Sequence, residues 1–161
     1  MGLDMYLTQS VYIGTPLGKN ERSGELEIKT SLSSESLLLP FAKIKAIELE
    51  FLYWRKANHI HKWFVDNIQD GNDDCGRYHL AEGDFLKLYR DLKLAILKQD
   101  PTIFPPAEGM FFGSTKIDNY YWQEINRTAA TLKPIIDELE KDYGVRDPVV
   151  RLSDFYYTSS W

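Results

Sequence analysis

Near Trp54 the hydrophobic period of this chain switches from two to the helical 3.6, and that switch limits the folds open to it. Over residues 44–52, Ile47, Leu49 and Phe51 alternate with Glu48 and Glu50, the pattern of a strand with one wet face. Over residues 55–69, Ala57, Ile60, His61, Phe64 and Ile68 recur at helical spacing, with Val65 at the margin of the stripe. Arg55, Asn58, His59, Lys62 and Asp66 take the opposite face. A strand therefore feeds directly into an amphipathic helix, and both need a partner for their dry sides.

The rest of the chain supplies those partners. Residues 3–13 read as an opening strand containing Tyr6 and Tyr12, followed by a loop over 14–24 rich in glycine, proline and asparagine. A short strand over 25–29, a serine-rich loop over 30–36 and a short strand over 77–80 follow the same reasoning. Residues 84–99 predict a second helix, with Phe85, Leu86, Tyr89, Leu92 and Ile96 as its buried stripe. Pro101, Pro105 and Pro106 end it. Residues 109–113 are short, aromatic and strand-like. Asp118 is placed to cap a long helix running to about Tyr143, stopped by Gly144 and kinked or divided by Pro134. The tail, 149–161, carries Phe155, Tyr156, Tyr157 and Trp161 and reads as a last strand. Without regular strand–helix alternation this predicts an α+β fold: a small, mostly antiparallel sheet with about three helices packed on it, in a single domain over 1–161.

Composition excludes several classes. Hydrophobic residues at 43% and aromatic residues at 14% are those of a globular chain with a core. A net charge of −5 argues against general nucleic-acid binding, which requires a basic surface. The lone Cys75 leaves no internal disulfide and no multi-cysteine zinc site; with no secretion signal, it points to the cytoplasm. Tyr6 spoils a myristoylation motif at Gly2, and no apolar run approaches the roughly 20 residues of a membrane span. Asn126-Arg127-Thr128 is a formal glycosylation triplet, discounted because it falls in a predicted helix.

Three clusters have the residue types for chemistry. Tyr53, Trp54, Arg55, Lys56, Asn58, His61, Lys62 and Trp63 crowd the start of the first helix. Aromatic faces that stack on a base, cations that neutralise phosphate and a helix N-terminus suit a planar anionic ligand. Read only as architecture, Trp54 and Phe64 are core while Arg55 and Lys62 are a solvated face. His61 lies on the dry stripe, either as a hydrogen-bonded core residue or pointing into a pocket. Asp70, Asn72 and Asp74 match the first oxygen positions of a calcium loop. Cys75 and Ala81 then stand where glycine and glutamate are required, which leaves Asp70, Asp73 and Asp74 as weak ligands for Mg²⁺ or Ca²⁺ beside the reading of a plain acidic turn. The turn Gly109-Met110-Phe111-Phe112-Gly113-Ser114-Thr115 can offer backbone N–H groups to phosphate but is neither a P-loop nor a nucleophile elbow; Ser114 and Tyr121 join the candidate ligand contacts.

At Tyr53-Trp54-Arg55-Lys56-Ala57-Asn58, Ile60-His61-Lys62-Trp63-Phe64-Val65 and Asp73-Asp74-Cys75-Gly76 the chain resembles a family of small phage and prophage proteins. Its opening Met1-Gly2-Leu3-Asp4-Met5-Tyr6 and the Phe111–Thr115 turn fit the same pattern. Some members carry the name phosphoglycerate kinase, but this chain is too short for that two-domain enzyme and shows none of its nucleotide site. The resemblance implies a phage accessory role in the host cytoplasm. Three functions are then expected: sequestration of a nucleotide-like phosphorylated molecule such as a host immune signal, inhibition of a host protein by docking, or metal-assisted phosphoester cleavage using His61. The first two are non-enzymatic. A homo-oligomer suits the first, because small sequestering proteins commonly assemble their pockets between subunits.

Overall fold

A computed structural model of the chain describes residues 2–12, 46–141, 145 and 153–161. The loops expected over 14–24 and 30–36, the strand over 25–29 and the stop at Gly144 lie outside these residues. The order is β1 (Asp4–Tyr12), β2 (Ala46–Arg55), α1 (Asn58–Asn67), β3 (Arg77–Leu80), α2 (Glu82–Lys98), a 3₁₀ turn (Pro101–Ile103), α3 (Asn119–Leu139) and β4 (Ser153–Ser160). The strands form a 4-stranded antiparallel sheet in the order β2-β1-β4-β3, so the fold is α+β. Among the described residues, no helix is long and apolar enough to cross a membrane.

Alternation along the central strands sets one dry face. Met5, Leu7 and Gln9 of β1 lie level with Ser159, Tyr157 and Phe155 of β4, and all six are buried. On β2 the sequence pattern misleads. The pairing Leu7–Leu52 is followed by Thr8–Glu50, so Phe51 is an extra residue in a β-bulge. The bulge changes the parity of the strand at Phe51, so Ile47 and Leu49, level with Val11 and Gln9, lie on the same face as the buried Leu52 and Trp54; Phe51 packs edge-on against Phe155, and Leu49, expected in the core, is half exposed on that face.

The helices cover the dry face. Phe64 of α1 lies flat on Tyr157, with ring centroids 3.9 Å apart and planes 7° from parallel. On α2 the buried residues are Phe85, Leu88, Leu92 and Ala95. Leu86, expected among them, is 41% exposed, while Tyr89 and Ile96 are partly buried. Asp118 caps α3 as expected, accepting from the Tyr121 N–H at 3.1 Å. The helix is not divided at Pro134. The proline ring deprives the Ala130 carbonyl of its partner, but both residues are exposed and water can supply the bond. Residues 109–113 form a turn, not a strand.

The other sheet face is polar. Tyr6 packs on Tyr53 at 5.3 Å. The Arg77 guanidinium lies 3.9 Å over the Tyr156 ring and reaches Glu48 at 2.6 Å, so an ion pair spans from one edge strand to the other. That reach requires a strongly coiled sheet. At the β2 edge, Arg127 and Tyr120 of α3 donate to the carbonyls of Tyr53 and Arg55, at 2.8 and 2.5 Å, which covers acceptors otherwise open to pairing with another chain.

Candidate functional site

The segments named by the sequence meet at one end of the sheet, where β1 begins and β2 and β4 finish. The Leu3 N–H donates to the Phe111 carbonyl at 3.0 Å, and the Lys56 N–H donates to the Leu3 carbonyl at 2.7 Å. Asn58 is the clamp of this end. Its side-chain NH₂ donates to the carbonyls of Phe112 (3.1 Å) and Ser114 (2.9 Å), and its oxygen accepts from the Ala107 N–H (3.2 Å). That is the reason Asn58, expected on the wet face of α1, is buried: the 107–114 segment lies over the first helical turn. His59, also expected there, is buried against the Tyr121 ring at 4.3 Å. Burial lowers the His59 pKa to about 4, against the opposing pull of Asp118. Among the described residues its Nε2 has no partner.

His61 is the centre of a buried polar chain. Its Nδ1 meets the Tyr157 hydroxyl at 2.7 Å and its Nε2 meets Asp73 Oδ2 at 2.9 Å; the other Asp73 oxygen accepts from the Trp161 indole N–H at 3.1 Å. Phe112 stands edge-on to the imidazole at 5.2 Å and closes the cluster. Burial, with Asp73 adding to it, holds the Tyr157 hydroxyl well above the ordinary tyrosine pKa. With both ring nitrogens engaged and 1% of its surface exposed, His61 has no free lone pair to offer a ligand or substrate.

The acidic turn is built for shape. Asp74 accepts from the Tyr78 hydroxyl and the Gly76 N–H, each at 2.8 Å, and these bonds hold its pKa below the usual carboxylate value. Asp70 and Cys75 adopt left-handed backbone, with φ of 51° and 57°. Asp73 faces His61 and Asp74 faces Tyr78. Among the described residues no group of His, Cys, Asp and Glu converges on a metal position, so the Asp70, Asp73 and Asp74 set does not assemble.

The expected stacking platform is dispersed. Trp54 is fully buried and donates to Thr128 Oγ1 at 2.8 Å. Trp63 is buried, donates to Asp91 at 3.0 Å and carries Lys87 over its ring at 5.0 Å. The Tyr121 hydroxyl is directed to the Phe104 carbonyl at 3.0 Å, and burial raises its pKa. These three rings pack in the core because a large apolar face gains more from burial than from partial exposure. Tyr53 lies on the outer sheet face with its hydroxyl on Asp4, and Lys62 pairs with Asp66 along α1.

Arg55, Lys56 and Ser114 remain exposed at the sheet end. Lys56 has left-handed backbone, φ 57°, and adjoins Gly113, φ 89°. A Cβ on Gly113 would lie 3.0 Å from the Lys56 Cβ. Gly113→Ala is therefore expected to cost about 1–2 kcal/mol from conformation and crowding together. Thermal melting should fall by several degrees, and an unchanged melting temperature would remove the argument. Sequence reasoning missed Trp161 and Lys116 as neighbours of this surface, whereas Tyr120, which with Tyr121 and Trp122 behind the 109–115 turn reads as core or as cleft lining, does lie beside it. Trp161 and Tyr120 are about half exposed. Trp161 packs on Phe112 at 6.0 Å, Tyr120 bonds the Arg55 carbonyl, and the Lys116 N–H donates to Ser114 Oγ. No local sequence signal links these positions; the fold alone brings them together. Compared with protein-family models, curated proteins and solved structures, the chain matches none of them.

Proposed function

We propose that the protein is a non-enzymatic phage accessory factor that sequesters a small phosphorylated, nucleotide-like molecule, such as a host immune signal, at this end of the sheet. The observation that carries the reading is the start of α1. Its N-cap, Ala57, supplies no side-chain cap, its first turn holds no acidic residue, and exposed Arg55 and Lys56 immediately precede it. The dipole of such a helix start adds to the pull of these two cations on an anion, which would meet Arg55 and Lys56 rather than the first turn that the 107–114 segment covers. Tyr120 and Trp161, rather than Trp54 and Trp63, are the exposed rings beside it. His61, the base of the phosphoesterase alternative, has both nitrogens held by Tyr157 and Asp73, which supports a reading without turnover.

Calorimetry against a panel of mono-, di- and cyclic nucleotides tests the reading. The expected result is micromolar or tighter binding to one member, with intact ligand recovered by mass spectrometry after denaturation. Lys56→Glu should weaken that binding at least tenfold, about 1.4 kcal/mol. Silence across the panel, or recovery of a cleaved product, would refute it.

A further inference from the structure

A second surface lies on the solvent side of α2, away from the sheet end. Leu97 is 82% exposed, Leu86 41% and Leu94 37%. Scattered exposed leucines are ordinary, but these three share one helix face, Leu94 beside Leu97 and Leu86 about 12 Å along the axis beyond Arg90. At 3.6 residues per turn, Lys93, Leu86, Leu97, Arg90, Leu94, Lys87 and Lys98 fall in that order around a little over a third of the helix circumference. No carboxylate of α2 lies within this arc; Glu82, in the first turn, and Asp91 lie just beyond its two edges, and Asp91 is turned to the Trp63 indole and to Lys87 and Arg90. Lys93 and Lys98 are exposed. A chain of net charge −5 therefore carries one helix face that combines leucines with cations and no acid.

We infer that this face of α2 docks an acidic amphipathic segment of a partner protein, in which two or more large apolar residues seat against Leu86, Leu94 and Leu97 and flanking carboxylates meet Arg90, Lys93 and Lys98. Charge complementarity selects the occupant, since the cations steer and register a negative segment while the leucines supply the buried area. An anionic bilayer offers the same charge but fits poorly. The opposite side of α2 is committed to the core through Phe85, Leu88, Leu92 and Ala95, which leaves a narrow apolar ridge. The net charge of the whole chain also repels such a surface.

Panning a displayed library of random peptides, each about four helical turns long, on the intact protein tests the inference. Enriched peptides should carry net negative charge with large apolar residues at helical spacing. Their affinity should drop at least tenfold on Leu97→Glu and on the Arg90→Glu/Lys93→Glu pair, with melting temperatures within a few degrees of the parent. Vesicles of phosphatidylcholine with phosphatidylserine should bind neither parent nor variants. The docking face is overturned if no peptide is enriched, if enriched peptides lack acidic character, if they bind the charge-reversed protein equally well, or if vesicles bind the parent and lose binding on these substitutions. Neither α2 variant touches the sheet end, so failure here leaves the ligand-capture reading untouched.

Discussion

Replacing His61 with alanine is expected to destabilise the protein by about 3–5 kcal/mol. The substitution removes a fully buried ring and strands the buried Tyr157 hydroxyl, both costly in the interior, and takes one partner from Asp73, which is partly exposed and keeps the Trp161 indole. At roughly 2–4 °C per kcal/mol for a chain of this size, the melting temperature should fall by about 10 °C or more. Tyr157→Phe keeps the ring that stacks on Phe64 and leaves only the histidine nitrogen unpaired, so its cost should be smaller, about 1–2 kcal/mol. Urea denaturation of both variants provides the comparison. Were His61 instead a group held ready for a ligand, its loss would spare stability and abolish binding; a near-parental midpoint for His61→Ala would therefore reverse the assignment of this residue to the architecture.

The second large effect concerns acid. The unfolded chain protonates His59 near its ordinary value of 6.5, whereas the folded protein resists protonation until about pH 4. Between these values the unfolded state binds the extra proton, so stability is full above pH 6.5 and drains away as the pH falls toward 4. The total is about 3 kcal/mol at 1.36 kcal/mol per pKa unit. His59→Phe retains an aromatic partner for Tyr121 and removes the titrating group, together with the buried Nε2 that has no partner among the described residues. The free-energy difference between variant and parent should be small at pH 7.5 and should grow in favour of the variant toward pH 4. Contributions from carboxylates such as Asp74 and Asp100, held below their usual values by hydrogen bonds, are common to both proteins and cancel. Parallel stability curves for the two would show that His59 charges freely in the fold.

Both effects arise in the segment that is most conspicuous in the sequence, and they give its motif a different meaning. Trp54 bonds Thr128, Asn58 clamps the 107–114 segment, His61 joins Tyr157 to Asp73, Trp63 bonds Asp91, and Asp74 shapes the turn before β3. Residues that read as a ligand platform are in large part the joints of the fold. What they leave on the surface is the smaller set of Arg55, Lys56 and Ser114.

The amino-acid order by itself determined the α+β class, the passage from β2 into α1, the dry placement of His61, the cap at Asp118 and the aromatic last strand. These are local properties, because side-chain period and capping chemistry depend on neighbours within a few residues. Tertiary structure alone decided the bulge at Phe51, which exists only relative to the register of β1, and the burial of Asn58 and His59, which depends on chain about 50 residues away. It also decided that Leu86 stays wet. Periodicity records that one side of a helix is apolar; whether that side is covered depends on which elements pack against it.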